Sequence, residues 1–222
     1  MKIFKVFSVV IALFLSNNLS AASVAFFTDR SIFESKLASS TLIDFEGIVG
    51  DSGSIFGSEL VVDDVTFIAD GYSGSRNELM LSGKNVFGSS AIPMESALII
   101  ANYSYPIIID LTTAGSGYTA VGGFFGDISD PLDPLRIDIY GTTGLLDSRE
   151  LMSASMKENT PSNFFGWIVE GDEIVSLSYE LYGNYEGIDD FVYGVATVPI
   201  PAAFWLFGSG IISFIGFSRR RV

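Results

Sequence analysis

The stretch L-R-I-D-I-Y-G, Leu135 to Gly141, alternates apolar and polar side chains at every step. In an extended strand, Leu135, Ile137 and Ile139 therefore lie on one face and the polar side chains lie on the other. The stretch I-V-S-L-S-Y-E-L-Y, residues 174–182, alternates in the same way. A period of two is typical of strands that bury one face and expose the other. The sequence thus predicts β-structure with one buried face here.

Similar short apolar stretches recur on both sides, separated by Gly, Ser, Asn and Asp. The strand candidates are L-I-D-F-E-G-I, L-V-V-D-D-V-T-F-I-A-D, A-L-I-I-A-N, P-I-I-I-D-L-T, Y-T-A-V-G-G-F-F-G-D, F-F-G-W-I-V-E and I-D-D-F-V-Y-G. About nine or ten such strands indicate an all-β fold, a β-sandwich of the jelly-roll type. No internal repeat or linker divides residues 23–197, so they are predicted to form one domain.

One short helix is predicted near the start of this domain, in T-D-R-S-I-F-E-S-K-L-A-S-S, residues 28–40. Either Thr28 or Asp29 can cap it, because both side chains carry an oxygen that accepts from the first free N–H groups. Its apolar face would consist of Ile32, Phe33 and Leu37.

Composition excludes several classes of function. The chain of 222 residues has no cysteine and no histidine, so disulfides, thiolate sites and a Ser-His-Asp triad are all excluded. Five of the 12 basic residues lie at the two ends of the chain. The part between Lys5 and Arg219 therefore has 7 basic and all 26 acidic residues, which gives it a net charge of −19. Binding to nucleic acid needs a basic surface, so no nucleic-acid partner is expected.

The first 22 residues have the layout of a secretory leader. Lys2 and Lys5 precede an apolar stretch of about ten residues, and small residues up to Ala22 follow. A membrane-spanning helix needs about 20 apolar residues, so an uncleaved anchor is disfavoured. We expect signal peptidase and the export machinery to act on residues 1–22, with cleavage after Ala22.

The last 25 residues, V-P-I-P-A-A-F-W-L-F-G-S-G-I-I-S-F-I-G-F-S-R-R-R-V, combine a proline motif, an apolar stretch and an arginine cluster. The apolar stretch is just long enough to span a thin bilayer, and the arginines would stay on the cytoplasmic side. The prolines keep the start of the segment extended. A plain membrane anchor is the alternative interpretation of residues 198–222.

This segment resembles the C-terminal sorting signal of the PEP-CTERM class, in its VPLPA-CTERM variant. The residues that match are Val198, Pro199, Ile200, Pro201, Ala202, Arg219, Arg220 and Arg221, with Ile200 in place of the usual leucine. The resemblance implies an exosortase-type membrane transpeptidase as a partner, which would cut near the prolines in a Gram-negative cell that makes exopolysaccharide. It implies a mature protein at the cell surface, outer envelope or extracellular matrix, associated with biofilm. Pieces of the body, including D-F-E and G-I-D-D-F, resemble those of other exported bodies in this class.

Carboxylates offer one candidate site. Calcium takes six to eight oxygen ligands, many of them carboxylates. In sandwich folds similar to the predicted one, the first and last strands often pair, and a structural calcium can sit between them. That pairing would bring Glu46 close to Asp189 or Asp190. Adjacent strand residues point to opposite faces, so only one of the two aspartates is expected to bind through its side chain. Asp190 is favoured, and the predicted calcium ligands are therefore Glu46 and Asp190. The alternative is that these carboxylates only face water, as they often do in an acidic chain.

Aromatic side chains offer another candidate site. Tyr182 and Tyr185 flank a predicted turn and could stack on sugar rings, whereas the aromatic residues of the strands are expected in the core. We therefore predict a non-enzymatic exported protein of the cell surface or matrix, with a carbohydrate-binding module of the same fold as the alternative. A glycan hydrolase that uses two carboxylates is a third interpretation.

Overall fold

The computed structural model describes residues 22–45, 48, 55–69, 79–82, 98–102, 106–127, 134–152, 164–181 and 185–197. They contain one short helix, α1 (Arg30–Glu34), and fourteen strands. The strands are β1 (Ser23–Phe27), β2 (Leu37–Ile43), β3 (Ile55–Gly57), β4 (Glu59–Val62), β5 (Val65–Ala69), β6 (Leu79–Ser82), β7 (Leu98–Asn102), β8 (Ile107–Asp110), β9 (Ala120–Asp127), β10 (Pro134–Gly141), β11 (Gly144–Met152), β12 (Phe164–Glu170), β13 (Ile174–Leu181) and β14 (Tyr185–Ala196).

The strands form two antiparallel sheets. The eight-stranded sheet has the order β1-β12-β9-β14-β7-β6-β3, and β2 also pairs with β14. The six-stranded sheet has the order β11-β10-β13-β8-β5-β4. The expected all-β architecture with one short helix near the start is therefore confirmed.

The main core lies between the two sheets. Leu135, Ile137 and Ile139 are all 0% exposed, as the alternation of β10 predicts, and they share one apolar cluster with Phe125 and Trp167 of the other sheet. Polar contacts also cross this layer. The hydroxyl of Tyr179 on β13 donates to the carbonyl of Gly126 on β9 at 2.9 Å. The two sheets thus pack face to face as a β-sandwich.

The helix covers the outer face of the eight-stranded sheet. Asp29 caps it by accepting from the Ile32 N–H at 2.9 Å. Phe33 is buried against Phe164 of β12 and Val192 of β14 in a second apolar cluster. A Cβ added at Gly166 of β12 would lie 2.8 Å from the Phe33 ring, so a glycine at this position makes room for the helix.

Three details of the strand and helix predictions are wrong. The helix ends at Glu34, and Leu37 begins β2 because that segment pairs with β14 from Leu37 to Ile43. Ile32 is 52% exposed and so does not belong to the buried face of the helix. The stretch L-V-V-D-D-V-T-F-I-A-D forms a hairpin of β4 and β5 rather than one strand, because Asp63 and Asp64 form its turn.

Two further differences concern strand number and length. The described residues contain fourteen strands rather than nine or ten, since one candidate forms two strands and the candidates do not include β1, β3, β6 and β11. The stretch L-I-D-F-E-G-I leaves the sheet after Ile43, where β2 ends.

The two terminal segments lie outside the described residues, except for Ala22. In the part of the chain that the structure describes, no helix has the length and apolarity to cross a membrane. The leader over residues 1–22 and the sorting helix within residues 198–222 remain predictions.

Candidate functional site

The outer face of the six-stranded sheet carries an ordered array of polar side chains. On β10, the residues between the buried positions are Arg136, Asp138 and Tyr140, which alternation directs to this outer face. The neighbouring strands β11 and β13 place their own outward residues directly opposite. We define the polar face by these outward residues and one from β8: Arg136, Asp138, Tyr140, Leu145, Ser148, Glu150, Ser176, Ser178, Glu180 and Asp110.

The first row of the polar face is charged. Arg136 lies between Glu150 on β11 and Glu180 on β13, which are its direct partners across the two strand pairs. Opposite charges at such positions attract one another. The Arg136 Nε also donates to Asp138 Oδ1 at 3.0 Å, which links this row to the next one. Arg136 thus binds Asp138 and has an acidic residue opposite it on each neighbouring strand.

The second row combines a carboxylate with two hydroxyls. Asp138 lies directly between Ser148 of β11 and Ser178 of β13. It is one of the few buried polar residues, with 9% of its surface exposed. Neighbouring strands are about 4.8 Å apart, so the three side chains lie in a line about 10 Å long. The two hydroxyls can donate or accept, whereas the buried carboxylate between them already accepts from Arg136.

The third row adds an aromatic ring and an apolar edge. Tyr140 is half-buried and lies opposite Leu145 of β11, which is 56% exposed, and opposite Ser176 of β13. Ser176 in turn lies opposite Asp110 of β8. A tyrosine ring at a partly wet surface can stack on an apolar ligand face while its hydroxyl bonds to water or ligand.

The predicted calcium site falls on an irregular part of β14. The pairing of β14 with β9 is interrupted between Asp189 and Val192, and Asp190 has a left-handed backbone with φ of 47°. On the side opposite β9, β14 pairs with two strands in turn. It pairs with β7 up to Ile188 and with β2 from Phe191 onward. The strand that precedes D-F-E pairs with the strand that contains G-I-D-D-F, since Ile43 lies opposite Phe191. The first strand itself, β1, pairs with β12 rather than with the last strand.

The carboxylate of Asp190 forms an ion pair with Arg30 of the helix. Arg30 forms an ion pair with Asp190 and a second one with Glu34, at 2.7 Å from Nε to Oε1. Burial by itself would lower the pKa of Arg30, but the hydrogen bonds and charges of Glu34 and Asp190 outweigh it and raise the pKa. The guanidinium also lies 5.7 Å from the centre of the Phe124 ring.

The neighbouring Asp189 has a different environment, as expected for adjacent strand residues. Its side chain is 0% exposed, and its Oδ1 accepts from the Asp190 N–H at 2.8 Å. Glu46 lies outside the described residues. Within the described ranges, no group of three or more carboxylates is placed to hold a metal ion. Calcium binding by Glu46 and Asp190 therefore stays a prediction.

The side chains predicted to stack on sugars lie outside the described part of the chain. Tyr182 and the side chain of Tyr185 lie outside the described part, and the backbone of Tyr185 begins β14 opposite Asn102. The aromatic residues of the strands are core residues, as expected; those below 6% exposure include Phe164, Phe165, Trp167, Tyr179 and Tyr193. Sequence reasoning missed the polar face, although the alternation of L-R-I-D-I-Y-G carried its signal.

The predicted sorting signal begins directly after the last described residue. The backbone N–H and the hydroxyl of Thr197 both donate to the carbonyl of Lys36, at 2.7 and 2.9 Å. The residues predicted to be read by a transpeptidase, 198–202 and 219–221, lie outside the described part.

Comparison with known proteins gives weak likenesses only. No family model matches the chain, and no curated protein matches it. One similar solved structure contains the CBM51-2 and INT domains of ZmpB from Clostridium perfringens, with 10% identity, 72% of this chain covered and a TM-score of 0.29. Another is TmCBM61 in complex with beta-1,4-galactotriose, with 14% identity, coverage of 72% of this chain and 92% of that one, and a TM-score of 0.30.

A third similar structure is the M60 catalytic domain with the CBM51-1 and CBM51-2 domains of the same ZmpB, at 11% identity, 72% coverage of this chain and a TM-score of 0.30. The chain spans 30% and 19% of the two ZmpB chains. Likeness at this level decides nothing about function.

Proposed function

We propose that this chain is a non-enzymatic exported protein whose β-sandwich binds carbohydrate at the polar face. The observation that carries the proposal is the pair of hydroxyls of Ser148 and Ser178 on the two sides of β10, one row away from the half-buried Tyr140. Sugars present hydroxyl groups on their edges and C–H groups on their faces. Serine hydroxyls suit the edges, and an aromatic ring suits the faces.

The position of this array also favours binding over catalysis. It lies on the outside of a sheet, across three strands, and its outermost members Glu150, Ser148 and Leu145 are exposed. Catalysis by carboxylates benefits from a site that excludes water and holds fixed dipoles around the reacting bond. An open face supplies hydrogen bonds without that exclusion. A binding module is therefore the better proposal than a hydrolase.

Two substitutions test carbohydrate binding. Tyr140→Ala should weaken binding of a glycan ligand, found on a glycan array, by about 3- to 10-fold, since one stacked ring contributes about 0.5–1.5 kcal/mol. Ser178→Ala should weaken it through the loss of one hydrogen bond. Glu170→Gln is the matched control, because Glu170 is exposed at the end of β12 in the other sheet. Unchanged binding in both test variants would exclude the polar face as the site.

We further propose that the two sheets are connected as a jelly roll. Successive strands from β7 to β14 alternate between the sheets, except that β10 and β11 form a hairpin within the six-stranded sheet. Alternation of this kind is typical of jelly rolls, in which long connections cross between two sheets.

The proposed route to the surface relies on the two terminal segments. Residues 1–22 would be removed by signal peptidase, and an exosortase-type transpeptidase would process residues 198–222 in a Gram-negative cell, leaving the domain at the surface or in the matrix near exopolysaccharide. The last described strand, β14, ends at Ala196, two residues before the proline motif in the sequence. A transpeptidase needs an extended segment, and Pro199 and Pro201 favour one.

Mass spectrometry of the mature protein from its native host tests this route. A single new C-terminus near Pro201, without the arginines, is expected. Pro201→Ala should lead to accumulation of the unprocessed form, whereas Pro106→Ala, a proline just before β8, should be processed normally. A mature protein that still ends at Val222 in the inner membrane would contradict the sorting proposal but leave the carbohydrate proposal standing.

A further inference from the structure

The edge of the eight-stranded sheet that β2 forms is exposed and uncharged. Among the described residues, β2 pairs with β14 only. The five residues from Ala38 to Leu42 are all exposed, and Leu42 is 44% exposed. None of the seven residues of β2 is charged. Sheet edges normally carry charges or irregularities that prevent pairing with a further strand.

The other described edges of the two sheets are protected in this usual way. The six-stranded sheet ends in β11, which carries Asp147, Arg149 and Glu150, and in β4, which carries Glu59. In the eight-stranded sheet, β3 has only three residues. Arg149 lies over the Phe26 ring of β1, at 4.3 Å from its centre. The β2 edge therefore differs from them in being long, exposed and distant from charge along its whole length.

The backbone of β2 directs hydrogen-bonding groups to the side away from β14. The carbonyl of Ser39 lies against Gly194 of β14, where a Cβ added to Gly194 would collide with it. Successive residues of a strand direct their N–H and C=O groups to opposite sides. The N–H and C=O of Ser40 therefore point away from β14, where a further strand could bond to them.

We propose that β2 is the interface of a homodimer, in which the β2 strands of two copies of this chain pair antiparallel about Ser40. This inference does not depend on carbohydrate binding. A two-fold interface brings the same strand of both copies together, so that strand has to be complementary to its own reversal. The stretch K-L-A-S-S-T-L-I-D, from Lys36 to Asp44, meets this condition.

The register about Ser40 pairs like with like inside the strand and opposite charges at its ends. Lys36 of one copy lies opposite Asp44 of the other, and the two-fold symmetry creates this pair twice. Both side chains are exposed. The residues between them pair hydroxyl with hydroxyl and apolar with apolar: Ser40 with Ser40, Ser39 with Thr41, Ala38 with Leu42, and Leu37 with Ile43.

Charge also favours this edge as the meeting point of two copies. The part of the chain between Lys5 and Arg219 has a net charge of −19, so two copies repel each other at long range. The β2 interface brings equal numbers of lysines and aspartates together and thus adds no further repulsion. Pairing within a sheet keeps its faces aligned, so the polar faces of both copies would point in one direction. That arrangement would favour bivalent attachment to one polymer.

Disulfide cross-linking tests the register, because the chain contains no cysteine. In the dimer, the two Ser40 Cα atoms would be about 5.5 Å apart, which a disulfide can span. Oxidation of the full-length Ser40→Cys variant should therefore link two copies, as a non-reducing gel would show. Ala38→Cys is the matched control, because Ala38 is exposed on the same strand but would lie more than about 10 Å from its counterpart.

Sedimentation velocity of the full-length protein measures the dimer itself, at about 1 to 100 µM. Non-ionic detergent is included because residues 202–217 are largely apolar. Lys36→Glu should weaken the dimer about tenfold at low salt, because it places carboxylates opposite each other at both ends. Adding Asp44→Lys restores opposite charges and should recover most of the affinity. Fluorescence of the buried Trp167 shows whether each variant is folded.

Three results would overturn this inference. One is the mass of a single copy at every concentration, together with no cross-link in Ser40→Cys. Another is equal cross-linking of Ser40→Cys and Ala38→Cys, because the contact would then be random. The third is a dimer that Lys36→Glu leaves unchanged, which would place the interface elsewhere. Glycan binding by a protein that stays monomeric would keep the carbohydrate proposal, so the two proposals fail independently.

Discussion

The contact between Gly166 and the helix gives a quantitative prediction for stability. A Cβ added at Gly166 would lie 2.8 Å from Cδ2 of Phe33 and 3.1 Å from Cε1 of Phe164. Carbon atoms prefer a separation of about 3.5 Å or more, so the Phe33 ring must move by about 0.7 Å to accept Gly166→Ala. The ring has little room to move, because Phe33 is 0% exposed.

The magnitude follows from two opposing effects. Overpacking of a core costs about 1–3 kcal/mol. Replacement of glycine by alanine also restricts the unfolded chain, which stabilises the folded state by about 0.4–1 kcal/mol. We expect Gly166→Ala to lower the free energy of unfolding by about 1–2 kcal/mol, which corresponds to about 2–8 °C in Tm for a chain of this size.

Rescue by a smaller side chain tests the cause. Phe33→Leu removes the ring that the new methyl group would meet, so it should cost about 1 kcal/mol or more by itself. The double variant should be more stable than the sum of the two single effects predicts, by about 1 kcal/mol. Gly123→Ala on β9 is the matched control, because the nearest atoms to its added Cβ are 3.4 Å away. Its effect should be much smaller.

The assay is equilibrium unfolding in urea, followed by the fluorescence of the buried Trp167. Two results would refute the reasoning. One is a Gly166→Ala variant as stable as the parent protein. The other is additivity of the two substitutions to within about 0.5 kcal/mol, which is the behaviour of residues that do not touch.

Three further predictions concern the turns and the predicted metal site. Asp172 accepts hydrogen bonds from both hydroxyls of Thr142 and Thr143, which hold its pKa well below its usual range. The stability that this ionised carboxylate contributes is therefore present above its unfolded pKa of about 3.8 and is lost as pH falls below that value. Because solvent screens the interactions of a surface group, Asp172→Asn should lower the free energy of unfolding by at most about 1 kcal/mol at pH 7. The effect should become progressively smaller below pH 4, as urea unfolding at several pH values would reveal. Asp64 holds φ of 65° in the two-residue turn between β4 and β5, so Asp64→Gly should raise the Tm by about 1–2 °C in a thermal scan, and a fall would contradict this account of the turn. If Glu46 and Asp190 bind calcium, the Tm should be higher in excess calcium than in excess chelator. The stabilisation should be about 2.7 kcal/mol when the free ion is at 100 times its Kd. Identical unfolding midpoints would contradict the predicted metal site.

The sequence by itself determined the class of fold and the position of many strands. The alternation of Leu135, Ile137 and Ile139 identifies buried positions because side chains in a strand alternate between its faces wherever the strand lies. The cap at Asp29 is equally local, since it joins residues three apart in the chain. The absence of cysteine and histidine excluded whole classes of chemistry without reference to any structure.

Local signals failed where a distant strand competes for the same residues. Leu37 fits the apolar face of a helix, but pairing with Ala196, far along the chain, makes it the start of β2. Asp189 and Asp190 look alike in the sequence. The structure buries Asp189 fully and joins Asp190 to Arg30, which is 160 residues away. No local pattern could predict that guanidinium in the predicted calcium site.

The candidate binding face shows the same division. The outward alternation of Arg136, Asp138 and Tyr140 is a local property, and the sequence determined it. Their neighbours Glu150, Glu180 and the two serines come from β11 and β13, and only the register of those strands decided that they meet. Register depends on hydrogen bonds and packing between strands that a single strand does not encode, so only the tertiary structure could turn three alternating residues into a surface.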